Sequence, residues 1–187
     1  MLKDFKKELW YAFNDKKKFK SDILKRLHLL KVSDSQYFDE CIIFYDELIV
    51  KDKIVIDLGS DFGTSPMCFL RNGAKYVYGF SLDEDYFKDK NYKHIQLDVN
   101  SIEGKKILNL ICKENIGYSL KIDIEGSEWK LNKEIFENAY DWIIALHYPI
   151  TSYALFNYIM RNGYVFFENQ NKNESEFLII KKYFKRY

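Results

Sequence analysis

The sequence predicts one α/β domain built on a seven-stranded, mostly parallel sheet that ends in an antiparallel hairpin. After residue 53, short apolar runs alternate with segments of helical periodicity, which is typical of successive βα units. Near the end of the chain, residues 169–174 separate two apolar runs and leave no room for a helix, so those runs predict a hairpin. A chain of 187 residues, 47% of them hydrophobic, is long enough for one full core. We therefore expect a single domain over residues 1–187.

The N-terminal quarter of the chain, residues 1–50, predicts a helical cover on this domain. Apolar residues from Leu2 to Leu30 recur at spacings of three and four, which fits amphipathic helices. Ser33 or Asp34 is placed to cap a further helix that runs to about Glu47. Residues 51–187 then form the Rossmann-like core, with the sheet and its covering helices.

The strands and helices of the core follow from the same patterns. Strands are predicted at residues 54–57, 76–80, 94–97, 120–124, 142–147, 164–168 and 177–181. Helices are predicted near residues 66–72, 84–90, 103–113, 133–138 and 152–161. The first five strands should be parallel to one another, because helices fill the intervals between them.

Charge and composition restrict the partners and the location. The formal net charge is +1, which gives no overall argument for a nucleic-acid or membrane partner. Lysines nevertheless crowd the first 31 residues, so nucleic-acid binding through these N-terminal lysines stands beside the simpler explanation of a solvated helix face. No apolar run approaches a membrane span, and the three cysteines lack metal-binding spacing. We expect a cytoplasmic protein with no membrane partner.

The stretch from Ile54 to Ser65 carries the first functional signal. An apolar run stops at Asp57, turns through Gly59 and Gly63 and resumes as a helix, which is how an α/β sheet forms a ligand crevice. We interpret the stretch as the binding loop of a nucleoside-containing cofactor; the alternative is a tight turn without a ligand. The loop lacks the Gly-x-Gly-x-x-Gly spacing of nicotinamide enzymes, and the chain has no Gly-Lys-Ser/Thr phosphate loop.

Three segments together resemble the FkbM-type methyltransferase family over roughly residues 48–147. Residues 55–63 (VIDLGSDFG) match the family's first motif, and residues 73–80 look like its second strand. Residues 120–129 (LKIDIEGSEW) follow the family's Lys-hydrophobic-Asp-hydrophobic-Glu-Gly-small-Glu pattern. The resemblance implies a Rossmann-like fold, S-adenosylmethionine as the cofactor, and methylation of a hydroxyl on a small molecule or sugar. The alternatives are an RNA or protein methyltransferase and a catalytically silent cofactor-binding module of the same fold.

The methionine end of the cofactor is assigned by this resemblance to the loop after the first strand. The residues concerned are Asp57, Gly59, Ser60, Asp61 and Gly63. Asp61 stands where the family usually has Asn. Asp57 would either accept a hydrogen bond from the cofactor's ammonium group or order the loop.

The ribose and the adenine are assigned to the next two strand ends. The family closes its second strand with an acid that binds the ribose, whereas this chain has Ser81 there, with Asp83 as the alternative. Asp83 could instead open the next helix. Asp98 follows the third strand and would accept from the adenine amine, with Val99 as an apolar wall. The other explanation of Asp98 is a helix cap.

Asp123, Glu125 and His147 form the predicted catalytic group, and Asp123 also counts among the cofactor-binding residues. Side chains two residues apart lean to the same side of a strand, so both carboxylates are expected at the end of the fourth strand, beside His147. His147 would be the general base and matches a histidine of FkbM-like sequences, although Ala145 stands where the family often has Glu. A second hypothesis has the three residues hold a divalent metal. A third involves no chemistry: Glu125 and Glu128 organise the Gly126 turn and the following helix N-terminus, and His147 is a buried histidine hydrogen-bonded to a carbonyl.

Overall fold

The computed structural model describes residues 47–60, 63–85, 87–169 and 177–183 of the chain. The predicted helical cover falls almost entirely on residues 1–46, outside the described residues, and so does Asp61 of the predicted cofactor loop. In the part of the chain that is described, no helix is long and apolar enough to cross a membrane.

A seven-stranded sheet forms the centre of the fold, as predicted. Its strands are β1 (Ile54–Leu58), β2 (Tyr76–Ser81), β3 (Tyr92–Gln96), β4 (Ser119–Ile122), β5 (Asp141–His147), β6 (Gly163–Asn169) and β7 (Phe177–Lys182). Their order in the sheet is β3-β2-β1-β4-β5-β7-β6. The first five strands are parallel, and β7 runs antiparallel to both β5 and β6. The predicted Rossmann-like sheet with its terminal hairpin is therefore confirmed.

Four α-helices and one 3₁₀ turn connect the described strands. They are α1 (Thr64–Arg71), α2 (Ile102–Glu114), the 3₁₀ turn Glu128–Lys130, α3 (Glu134–Glu137) and α4 (Tyr153–Asn162). The two longest begin at serine caps, because the side chain of Ser101 accepts from the Gly104 N–H and that of Ser152 from the Leu155 N–H.

The helix predicted over residues 84–90 is wrong, since none of the described residues of that segment is helical. The Asp85 carboxylate points inward, where it accepts from the Tyr92 hydroxyl and from the Phe87 N–H at 2.7 Å. The Asp89 carboxylate accepts from the Asn91 N–H at 2.8 Å. Such side-chain bonds to nearby backbone groups offer the chain an alternative to helical hydrogen bonding.

The order of the strands reverses between β1 and β4. From β1 the chain progresses outward through β2 and β3, whereas β4 and β5 lie on the other side. In open α/β sheets, such a topological switch point opens a crevice at the carboxyl ends of the two strands. The core beneath it is closely packed: all seven residues of β5 are buried, and Trp142 packs edge-on against Phe136 with ring centroids 5.5 Å apart.

Candidate functional site

The loops after β1 and β4 touch each other at the switch point. Gly59 has a φ of 86°, and a Cβ on it would lie only 1.8 Å from the carbonyl oxygen of Asp123. The Asp123 N–H in turn donates to the Leu58 carbonyl at 2.9 Å. Gly59 is thus required where the two loops meet, because any side chain there would collide with backbone.

A buried ion pair between β1 and β4 holds the loop after β1 in place. Register pairs Asp57 on β1 with Lys121 on β4, and Lys121 Nζ lies 3.2 Å from Asp57 Oδ1. The ammonium also donates to the Gly59 carbonyl at 2.5 Å, and the Ser65 hydroxyl donates to Asp57. Burial raises the pKa of Asp57 above 3.8, although Lys121 and Ser65 act in the opposite direction. Asp57 was predicted either to accept from the cofactor's ammonium group or to order the loop. It is fully buried, and its contacts favour the second role.

Gly63, the second glycine of the loop, also faces protein rather than open space. Its φ is 87°, and a Cβ on it would lie 2.1 Å from the carboxylate of Asp85. Asp85 accepts from Tyr92, and burial, followed by the hydrogen bond to Asp85, raises the pKa of Tyr92, so the phenol stays a donor. Ser60 is fully buried beside this group. No motif in the sequence indicated the contact between Asp85 and Tyr92.

Ser81, at the end of β2, is bonded within the protein. Its hydroxyl donates to the Asp83 carbonyl at 2.8 Å and lies 2.9 Å from Nε2 of His94 on β3. Since the hydroxyl proton is used, the ring N–H of His94 donates to Ser81. The Asp83 side chain is exposed. The end of β2 therefore carries a hydrogen-bonded Ser81–His94 pair, with the exposed Asp83 side chain two residues further on.

Asn100 is a polar group that sequence reasoning missed. Asp98 is exposed, and its Oδ1 accepts from the Asn100 N–H at 2.8 Å, while Val99 is buried. The Asn100 side-chain amide donates to the Ser127 carbonyl at 3.1 Å, which joins the loops after β3 and β4. Among the described residues, Asn100 Oδ1 is buried without a hydrogen-bond partner. A buried acceptor of this kind is costly unless a donor reaches it.

The predicted catalytic residues come together at the ends of β4 and β5. His147 Nε2 lies 3.5 Å from Glu125 Oε2 and 3.9 Å from Asp123 Oδ1, and one ligand atom from each residue fits within 4.8 Å of the others. Alternation along a strand, the predicted reason for their proximity, was wrong, because β4 ends at Ile122 and both carboxylates follow it. A turn with left-handed backbone at Glu125 (φ 51°) and Gly126 (φ 86°) brings them together.

Glu128 orients His147 from beneath. Its side chain is fully buried, and its Oε1 accepts from the His147 backbone N–H at 2.5 Å and lies 3.0 Å from Nδ1. Trp129 Nε1 donates to the His147 carbonyl at 2.8 Å. With Nδ1 directed at a carboxylate, Nε2 is the ring atom that faces Asp123 and Glu125. The motif at residues 120–129 contained Glu128, but its pairing with His147 is a tertiary contact.

The electrostatics of the group favour positive charge on His147. Burial of the imidazole disfavours its charged form, but Glu128, Asp123 and Glu125 outweigh that effect and raise the pKa of His147. Asp123 is mostly buried and Glu125 mostly exposed, so the group is open to solvent on the Glu125 side.

The sequence has a viral relative. No protein-family model matches the chain. Over 115 residues it is 31% identical to "Uncharacterized protein 158B" of Sulfolobus islandicus rod-shaped virus 1, a match that covers 59% of this chain and 71% of the viral protein. The chain belongs to the protein 158B family.

Solved structures share the fold of this 158B-family chain. Two are each named "putative hemolysin": the one from Streptococcus thermophilus has a TM-score of 0.50 at 15% identity over 86% of this chain and 64% of that one. The one from Lactococcus lactis has a TM-score of 0.54 at 14% identity, over 79% and 85%. An rRNA methylase from Streptococcus thermophilus has a TM-score of 0.52 at 14% identity, over 80% and 96%. The chain thus spans less than two thirds of the first of these proteins, and at such identities the likeness shows the fold.

Proposed function

We propose that this protein is an S-adenosylmethionine-dependent methyltransferase that methylates a hydroxyl group of a small molecule or sugar, as its resemblance to FkbM-type enzymes implies. One observation supports the proposal above all others. At the switch point of the sheet, the glycine turn after β1 touches Asp123, and Asp123 belongs to the same group as Glu125 and His147. The crevice that would hold the cofactor therefore lies next to side chains that could accept a proton.

The residues at the strand ends fit the proposed cofactor. The adenine amine is a donor, and Asn100 Oδ1 is a buried acceptor without a partner among the described residues. The exposed carboxylate of Asp98 lies on the same loop. Ser81 and Asp83 are the groups that would meet the ribose hydroxyls. The carboxylates of Asp123 and Glu125 suit the positive charge of a sulfonium.

The chemistry needs an acceptor oxygen held in line with the methyl group and relieved of its proton. When bound, S-adenosylmethionine would supply an electrophilic methyl group on a sulfonium that can leave as a neutral thioether. In this proposal His147, whose Nδ1 is directed at Glu128, would receive the acceptor's proton at Nε2 on the Glu125 side of the group. His147 can act there directly as a base or as a ligand of a cation, and both routes need the imidazole.

Two alternatives keep the fold and change the role. An RNA methyltransferase is favoured by the lysines of the first 31 residues and by the shared fold with an rRNA methylase. A protein methyltransferase belongs to the same alternative. A silent cofactor-binding module is favoured by Ser81, which stands where a ribose-binding acid was expected.

Calorimetry with S-adenosylmethionine and S-adenosylhomocysteine tests the cofactor, and transfer of a labelled methyl group tests the reaction. We expect both ligands to bind, with transfer to sugars or phenols that is lost in His147→Ala but kept in Glu137→Gln, an exposed carboxylate on α3. The absence of binding at millimolar ligand would refute the proposal. Salt-sensitive transfer to RNA alone would establish the RNA alternative, and cofactor binding with no transfer to sugars, phenols, RNA or protein would support the silent module.

A further inference from the structure

We propose that Asp123, Glu125 and His147 bind a divalent transition-metal cation such as Mn²⁺. The three residues offer two carboxylate oxygens and one imidazole nitrogen within 4.8 Å of one another, in the described part of the chain. The binding of the cation does not depend on the proposed function. Its catalytic role, described below, rests on the proposed function.

The ligand atoms are spaced for coordinating one shared cation rather than for hydrogen bonding directly to one another. The distances of 3.5 Å and 3.9 Å from His147 Nε2 to Glu125 and Asp123 exceed those of N–H···O hydrogen bonds. Around an octahedral cation with bonds of about 2.1 Å, ligand atoms are separated by about 3 Å on an edge and about 4.2 Å across. Both distances from His147 Nε2 fall between these values. The three ligand atoms lie within 4.8 Å of one another, so side-chain rotation toward a shared ion would complete the coordination.

Glu128 gives His147 the support that metal-binding histidines commonly have. A ligating imidazole usually donates its other N–H to a carboxylate or carbonyl, which fixes the ring and makes the ligating nitrogen a better donor. Here Glu128 Oε1 lies 3.0 Å from Nδ1, so Nε2 is the nitrogen available for coordination. Sequence spacing alone did not indicate this arrangement, because Glu128 and His147 are 19 residues apart.

The charge of the group also calls for a cation. Three carboxylates, those of Asp123, Glu125 and Glu128, lie within 4 Å of the nitrogens of one imidazole. Glu128 is fully buried, and its Oε2 has no hydrogen-bond partner among the described residues. A buried carboxylate is costly unless compensated, and a divalent ion on the far side of the imidazole would supply the compensation.

The ligand types select the class of ion. Two carboxylates and one imidazole suit Mn²⁺ and its neighbours in the first transition row better than Mg²⁺, which prefers oxygen ligands alone. A substrate hydroxyl drawn to such an ion would have a lowered pKa and would release its proton to solvent water. The open Glu125 side of the group gives that proton a path.

Binding is tested on the full chain by titrating Mn²⁺ and following the electron paramagnetic resonance signal of the free ion. We expect one ion per chain, nitrogen coupling from a histidine in pulsed spectra, and affinity at least tenfold weaker in Asp123→Asn and Glu125→Gln. Glu128→Gln should weaken binding by about 10- to 100-fold. Glu137→Gln is the control and should bind as the wild type does, and Mg²⁺ should compete poorly.

The outcomes separate this inference from the proposed function. Absence of binding at millimolar Mn²⁺, or equal affinity in Glu125→Gln and the wild type, would overturn the metal site. Methyl transfer that survives complete chelation would exclude a catalytic role for the ion while leaving the methyltransferase intact. If the metal-loaded protein shows histidine coupling but does not bind S-adenosylmethionine, the metal site stands and the proposed function fails.

Discussion

Replacing Lys121 by Met should destabilise the protein and weaken cofactor binding together. The substitution keeps the bulk of the side chain but leaves the Asp57 carboxylate, which is fully buried, without its cation. Breaking a buried ion pair from one side costs about 3–5 kcal/mol. For a chain of this size, that corresponds to a fall in Tm of about 6–20 °C. The Gly59 carbonyl also loses its donor, so the loop after β1 is less well ordered.

The pH dependence gives this prediction a definite sign. The pKa of Asp57 is raised by folding, so its protonated form is favoured in the native state and its ionised form costs stability once the pH exceeds 3.8. Without Lys121 this cost is larger. The stability gap between Lys121→Met and the wild type should therefore widen as the pH rises, and it should be larger at pH 7 than at a second, more acidic pH. Urea unfolding at the two pH values measures it.

A matched control exists where β5 begins, at the edge of the sheet opposite the crevice. Lys181 and Asp141 form a second buried pair, with side-chain exposures of 3% and 0%, the same as those of Lys121 and Asp57. Lys181→Met should cost similar stability but leave the affinity for S-adenosylmethionine unchanged. The double variant Asp57→Asn/Lys121→Met should recover part of the lost stability, because no unpaired charge remains. Equal loss of cofactor affinity in the two lysine variants, or a gap that does not change with pH, would refute the reasoning.

Two further predictions concern the loops around the crevice. Gly59→Ala should lower the free energy of unfolding by about 2–5 kcal/mol, because it adds the strain of a left-handed backbone to a clash with the Asp123 carbonyl. Gly117→Ala, at a φ of 83° with open space around it, should lower it by only about 1–2 kcal/mol. Equal unfolding midpoints for the two variants would contradict this. Asn100→Ala should weaken S-adenosylmethionine binding by about 2- to 10-fold in calorimetry, while Asn115→Ala, whose amide only donates to its own helix, should not.

The strands were predictable because their signals are local. Apolar runs and the intervals between them are properties of neighbouring residues, so all seven strands and their terminal hairpin were predicted in the right order, although β4 ends at Ile122 rather than at residue 124. The helix over residues 84–90 failed because Asp85 is held by Tyr92, a contact that forms only once β3 lies beside β2. Local propensity carries no information about such a partner.

For the site, the sequence by itself determined which residue types stand at the strand ends. It placed Gly59, Asp123, Glu125 and His147 at one edge of the sheet, since parallel strands end on the same side. Only the tertiary structure decided how they are paired. Strand register places Lys121 beneath Asp57, and packing places Glu128 beneath His147 across 19 residues of sequence. Such pairings depend on distances between segments that are far apart in the chain, and no spacing along the sequence encodes them.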